Sequence, residues 1–228
     1  WIVRGATGLG LPNELGDRVI PALISLNAQQ KFVTRKVYFS KYQLLRLMKL
    51  DPTGQNSDQL ELALKQLAGI TIESKRAFYD KEKQKRLTSL KAFHLIEKLW
   101  FRKDEAEDDD NQHQTAHGYI VWGEEIWKSL CTGYIKNLDL DFYYSLSTPL
   151  ARRLYRFLDK RMYHTKTLEL DVFELTGRLG MTPYSKPSAA LRKVQPAIEQ
   201  LLERKFLNAF ATVKKGKYTR VKLTKASA

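Results

Sequence analysis

The chain has 228 residues, 43% hydrophobic and 11% aromatic, and carries 39 Lys and Arg against 25 Asp and Glu, a formal net charge of +14. That composition is that of a globular protein, so disorder is not the default reading, and the length suits one large domain or two small ones. No apolar run approaches the roughly 18–20 residues of a membrane span, and the N-terminus carries no signal-peptide pattern.

Residues 1–11 are Gly-rich and read as extended. Helical periodicity begins near Asn13, with Leu15, Val19, Leu23 and Leu26 on one face. Val37, Tyr38 and Phe39 read as a short strand leading to Ser40, an N-cap for a helix over 41–50. Residues 51–54 form a turn, and a helix over 57–68 ends at Gly69. Strands follow over 70–73 with Phe78, over 90–101 and over 119–122.

The same order then returns. Thr148 and Pro149 start a helix carrying Leu150, Leu154, Phe157 and Leu158. Leu168 and Leu170 form a short strand, Asp171 caps a helix to Leu179, and residues 180–187 turn. A helix over 188–205 buries Leu191, Val194, Ile198, Leu201 and Leu202. Two alternating stretches around Lys214-Lys215-Gly216-Lys217 make a β-hairpin. Helix, strand, helix, turn, helix, hairpin is the winged-helix order, a helix-turn-helix with a β-wing. The fold expected is therefore α+β, two tandem winged-helix domains over 1–134 and 135–228, with residues 134–147 joining the halves.

The charge separates the halves. Residues 145–228 hold 18 Lys and Arg against 6 Asp and Glu, whereas residues 1–144 hold 21 against 19. A cationic field so confined suits the phosphate backbone of a nucleic acid. An anionic membrane surface would call for a lipidation signal or a basic amphipathic helix, and neither end carries a lipidation motif.

In the second half the helix from Ser188 is the candidate reader. Opposite its apolar stripe lie Ser188, Ala189, Arg192, Lys193 and Gln200. Arg192 can bond a guanine edge at two points, Lys193 can reach guanine or phosphate, and Ser188 can hold a phosphate at the first turn. Pro196 is expected to bend this helix, and Glu199 and Glu203 beyond it to repel DNA. Lys214, Lys215, Lys217, Tyr218 and Arg220 form a basic hairpin tip suited to phosphate or the minor groove. Lys186, and Arg152 with Arg156 on a basic ridge that includes Lys160, are weaker phosphate candidates. An ordinary solvated face remains the alternative for each set.

The first half is nearly neutral. Its corresponding helix turns Asp58, Glu61, Leu62 and Lys65 outward, and an outward Leu62 suggests a protein contact such as a second copy of the chain. Lys31, Arg35, Lys36 and Lys41 could add phosphate contacts. The acidic run 104–110 reads as a loop that stays off DNA.

Enzymatic signals are weak. His113 and His117 have metal-like spacing without a third fixed ligand, so neither metal nor cofactor is expected. Residues 5–10 resemble a phosphate loop only superficially, since no G-K-[ST] occurs. Tyr143 or Tyr144 could act as a strand-nicking nucleophile, the enzymatic alternative, but the histidine cluster such nucleases need is missing. Cys131 is expected to be a reduced, partly buried packing residue.

The blocks G-L-P-N-E-L-G-D-R-V-I-P-A-L-I-S-L from Gly10, V-Y-F-S-K-Y-Q-L-L-R-L from Val37 and L-E-L-A-L-K-Q-L-A-G-I-T-I from Leu60 resemble the replication initiator protein A family of bacterial plasmids. So do Y-I-K-N-L-D-L-D-F-Y-Y-S-L from Tyr134, P-L-A-R-R-L-Y-R-F-L-D-K-R from Pro149 and L-R-K-V-Q-P-A-I-E-Q-L from Leu191. The resemblance implies a cytoplasmic, non-catalytic bacterial initiator that binds origin repeats in double-stranded plasmid DNA, helps open an adjacent A+T-rich segment and recruits host replication proteins. It also implies that the C-terminal winged helix reads DNA while the N-terminal one dimerises and touches backbone. A winged-helix transcriptional regulator is the alternative within the same class.

Overall fold

The structure is a computed structural model that describes residues 2–75, 79–80, 85–86, 90–102, 118–132, 137–215 and 218–226. The chain divides into two compact units, Trp1–Ile135 and Lys136–Ala228.

In the first unit α1 (Glu14–Gln29) starts where the Asn13 side chain accepts the amide protons of Leu15 and Gly16. It stays helical through Pro21 and buries Val19, Ala22, Leu23 and Leu26. Strand β2 (Lys36–Phe39) leads to α2 (Lys41–Leu47), capped by Ser40, and then to α3 (Gly54–Ala68). Helix α3 begins three residues before the expected start, because Thr53 Oγ1 accepts from the Asn56 amide and turns the 51–54 turn into a cap.

The stretch over 90–101, expected as one strand, is two. β6 (Leu90–His94) and β3 (Thr71–Lys75) pair in a sheet of order β1-β3-β6, where β1 is Ile2–Arg4. β7 (Ile96–Phe101) instead joins β8 (Gly118–Trp122) in a sheet of order β2-β8-β7. Between β3 and β6, β4 (Tyr79–Asp80) and β5 (Lys85–Arg86) pair with each other. Consecutive buried residues, Leu95 and Ile96, mark the corner between β6 and β7. Gly123 closes against that corner: its amide donates to the Leu95 carbonyl, and a Cβ there would lie 2.0 Å from the His94 carbonyl oxygen. The inner face of the β2-β8-β7 sheet buries Val37, Phe39, Ile120 and Trp122. The Trp122 indole donates to buried Asn27 Oδ1 at 3.1 Å, which satisfies a polar group the core would otherwise strand. Helix α4 (Glu124–Cys131), not anticipated in the sequence, follows β8. Cys131 is exposed rather than partly buried.

In the second unit α5 (Leu140–Ser145) occupies part of the expected joining segment. Next come α6 (Pro149–Arg161) with Thr148 as cap, β9 (Thr167–Asp171), α7 (Val172–Arg178) with Asp171 as cap, and α8 (Pro187–Glu203). The hairpin β10 (Leu207–Lys215) and β11 (Tyr218–Lys225) closes the unit in a sheet of order β10-β11-β9. Helices and sheet enclose Leu154, Leu158, Val172, Leu175, Val194, Ile198, Leu201, Val221 and Leu223, all without solvent exposure.

Candidate nucleic-acid interface

Helix α8 is amphipathic over its whole length. Ala190, Val194, Ala197, Ile198 and Leu201 are buried, which leaves Ser188, Arg192, Lys193, Gln195 and Pro196 on the exposed side. Pro187 occupies the first turn, where its missing N–H costs no hydrogen bond. Lys186, at the N-cap, is exposed and makes no side-chain cap. Ser188 lies in that first turn, where the Ala189 and Ala190 amides donate to the Lys186 carbonyl at 3.1 and 3.2 Å. Among the described residues, neither Arg192 nor Lys193 has an ion-pair partner, so both charges are available to a ligand. Helix α8 continues through Pro196, which faces solvent. Beyond it Glu199 and Glu203 are exposed, and Glu199 accepts from Gln195 at 2.8 Å. The cationic part of the helix is thus confined to its first two turns.

Gln200 does not join that surface. Its Oε1 accepts from the Ser147 amide and its Nε2 donates to Thr148 Oγ1, which ties α8 to the start of α6.

Arg152 corrects the expectation of a basic ridge. Its side chain is completely buried, and Nη1 donates to the Leu146 carbonyl at 2.7 Å. A guanidinium inside the unit braces the α5–α6 turn and has no route to a phosphate. Arg153 donates to the Leu179 carbonyl at 3.3 Å. Arg156, half-buried, stands 5.9 Å over the Tyr143 ring. The exposed basic residues of α6 are Arg153, Lys160 and Arg161.

The hairpin divides the expected tip residues between two faces. Side chains alternate along a strand, and directly paired residues share a face. Lys214 pairs with Thr219, and both fall on the side of Val221 and Leu223, the side on which the helices pack. Tyr218 and Arg220 fall on the opposite side, where Arg220 is tied to Glu169 of β9 at 3.2 Å. Arg220 is therefore a sheet-bracing residue, while Lys214 and Tyr218 are exposed. Lys217 lies outside the described residues, and of Lys215 only the backbone, paired with Tyr218, is described.

Tyr143 and Tyr144 are buried, their rings edge to face at 5.0 Å. The strand-nicking alternative has no accessible nucleophile at either position. The acidic run 104–110 and His113 and His117 lie outside the described residues. Among the described residues no cluster of His, Cys, Asp and Glu could hold a metal ion, and no helix is long and apolar enough to cross a membrane. The loop of residues 5–10 closes on itself through an Ala6–Gly10 bridge and does not lead directly into a helix, and Leu9 accepts from Gln66 of α3.

The first unit offers a different surface. Lys41 and Lys65 both bond the Glu61 carboxylate at 2.7 Å, and these bonds, that to Lys41 first, hold its pKa down at about 2. Arg35 is paired with Glu97 at 3.1 Å, and Lys36 covers the Tyr119 ring at 3.8 Å. Arg35 and Lys41, expected as phosphate contacts, are ion-paired within the fold, Lys36 lies against aromatic rings, and Lys31 is exposed. Leu62 is 43% exposed on α3, as its position in the pattern implied.

A family model described as Replication initiator protein A matches residues 13–202. Among the solved structures similar to the chain are two of RctB domains. A crystal structure of selenomethionine derivatives of domains 2 and 3 of RctB has a TM-score of 0.67 at 14% identity, covering 99% of this chain and 86% of that one. A crystal structure of RctB domains 2–3, RctB-155-483, has a TM-score of 0.57 at 15% identity with the same coverage. At such identities the likeness is one of fold. No curated protein matches the sequence.

Proposed function

The chain belongs to the Replication initiator protein A family, and from that membership we propose that it is a plasmid replication initiator that binds repeated origin sequences in duplex DNA. In this reading it opens the neighbouring duplex, recruits host replication proteins and performs no catalysis. Its place of action is the bacterial cytoplasm, on plasmid DNA.

We read both units as winged helices. Supporting this are the order helix, strand, helix, helix, hairpin in the second unit and the order α1, β2, α2, α3 with the β7–β8 pair in the first. The second unit is the reader. The observation that carries this assignment is that Arg192 and Lys193, without an ion-pair partner among the described residues, lie on the exposed first turns of a helix whose other face is core. In this reading Arg192 bonds a guanine edge in the major groove and Lys193 a guanine or a phosphate. Ser188 and Lys186 hold phosphate at the helix start, where the helix dipole favours an anion. Lys214, Lys215, Lys217 and Tyr218 serve as the wing, and Arg156 is a minor backbone contact. The first unit, through Leu62, contributes dimerisation.

Footprinting of the full chain on the parent plasmid's origin tests the reading. Protection of discrete repeats, with an adjacent A+T-rich segment becoming reactive to an unpaired-base probe, is the expected result. Even protection along the whole fragment would contradict it. A transcriptional regulator would protect sites without supporting replication of a plasmid that bears them.

A further inference from the structure

The outer face of the β2-β8-β7 sheet in the first unit has an unusual makeup. Register places Tyr38, Tyr119 and Trp100 side by side across the three strands, with Lys36, Val121 and Lys98 in the next row. Trp100 stacks on Tyr119 at 5.6 Å and 21°, and Tyr38 lies 6.0 Å from Tyr119. The Lys36 ammonium stands 3.8 Å over Tyr119 and 4.6 Å over Tyr38, and that of Lys98 is 5.7 Å from Tyr119. Tyr38 is 48% and Trp100 43% exposed, although aromatic rings of this size are normally buried. The opposite face of the same strands supplies the core, so among the described residues core packing does not account for three rings on this side. The one acid in these strands, Glu97, sits at the β7 irregularity and is tied to Arg35.

We propose that this aromatic and cationic sheet face binds single-stranded nucleic acid, its exposed Tyr38 and Trp100 rings stacking on unpaired bases and Lys36 and Lys98 meeting the phosphates. A paired base hides both its faces in the duplex stack, so only an unpaired strand offers the flat surfaces these rings match. Stacking on aromatic side chains is tolerant of sequence, and ammonium groups beside the rings supply the electrostatic part of affinity. Among the described residues this face carries two lysines and no acid, a charge that an anionic ligand complements. Val121 is the only aliphatic side chain in the two rows, which leaves little for an apolar protein surface or a lipid to cover. The site is separate from α8 and does not depend on the duplex-reading role given to Arg192.

The test uses the full chain and a fluorescein-labelled 20-nucleotide oligothymidylate, with origin duplex measured in parallel by anisotropy. Tyr38→Ala combined with Trp100→Ala weakens oligothymidylate binding by about tenfold or more, the order expected for loss of base stacking, and leaves duplex affinity within about twofold. Tyr38→Phe combined with Trp100→Phe retains the π faces and most of the affinity. Arg192→Ala gives the reverse pattern, so the two sites fail independently. Should the double alanine variant not fold, Tyr38→Ser alone carries the same readout. Oligothymidylate affinity equal to wild type, or an equal loss for both DNAs, overturns the proposal. A change of sedimentation state without loss of strand binding also overturns it, and assigns the face to self-association.

Discussion

Arg152 separates a structural arginine from a DNA contact, and the two roles predict opposite outcomes. Arg152→Ala removes a charge-assisted hydrogen bond to the Leu146 carbonyl and leaves that carbonyl in a residue only 1% exposed. The lost bond and the stranded acceptor together cost about 2–3 kcal/mol, and the loss of the buried side-chain stem adds about 1 kcal/mol. Relief of the guanidinium's own desolvation offsets part of this, so the net destabilisation is about 3 kcal/mol. Arg152→Met refills most of the volume and recovers about half. For a unit of this size each kcal/mol moves Tm by roughly 4–8 °C, so the alanine variant melts more than 10 °C lower. Thermal unfolding by circular dichroism gives the shift, and DNA titration at a temperature where both proteins are folded gives the affinity. Wild-type stability combined with a salt slope reduced by about one would place Arg152 on a phosphate and refute the reasoning.

Gly123→Ala forces a Cβ into the His94 carbonyl and costs about 1–3 kcal/mol in the first unit, read by urea denaturation, without changing duplex affinity. The Glu61 carboxylate is stabilised by Lys41 and Lys65, so its contribution is present above pH 4.5 and is lost as pH falls towards 2. Both lysines are partly solvated, so that contribution is no more than about 1 kcal/mol, and a Glu61→Gln variant shows a smaller acid-induced loss of stability than wild type. Lys214→Ala weakens cognate and random duplexes alike and lowers the salt slope by about one, measured by titration at several salt concentrations.

The sequence revealed most where local chemistry fixes an element. Ser40, Thr148 and Asp171 each cap the helix their positions announce, and the apolar stripe of α8 identifies the exposed side of its first turns, although Gln200, expected there, is tied to the start of α6. Thr53 was concealed by its Pro-Thr-Gly setting, which suits a turn as well as a cap. The corner between β6 and β7 was not legible, because an apolar run gives no sign of which partner each half pairs with, and the partners lie far apart in the chain. Arg152 misled for a related reason. A four-residue spacing puts Arg152 and Arg156 on neighbouring turns, but only the tertiary position of the Leu146 carbonyl shows that one of them points inward. The aromatic sheet face was equally hidden, since Tyr38, Trp100 and Tyr119 come together only through strand register. Alternation in the hairpin did contain the split between Lys214 and Arg220, and Glu169 as a partner for Arg220 emerged only with the β11–β9 pairing.

The central claim is that the start of α8 reads base sequence. Binding of the Arg192→Ala protein to the origin repeat and to a random duplex of equal length, at one fixed salt concentration, addresses it most directly. Our account predicts a loss of about 1–3 kcal/mol on the repeat, a much smaller loss on the random duplex, and relaxed preference at a single base position. Equal losses on both duplexes would contradict it.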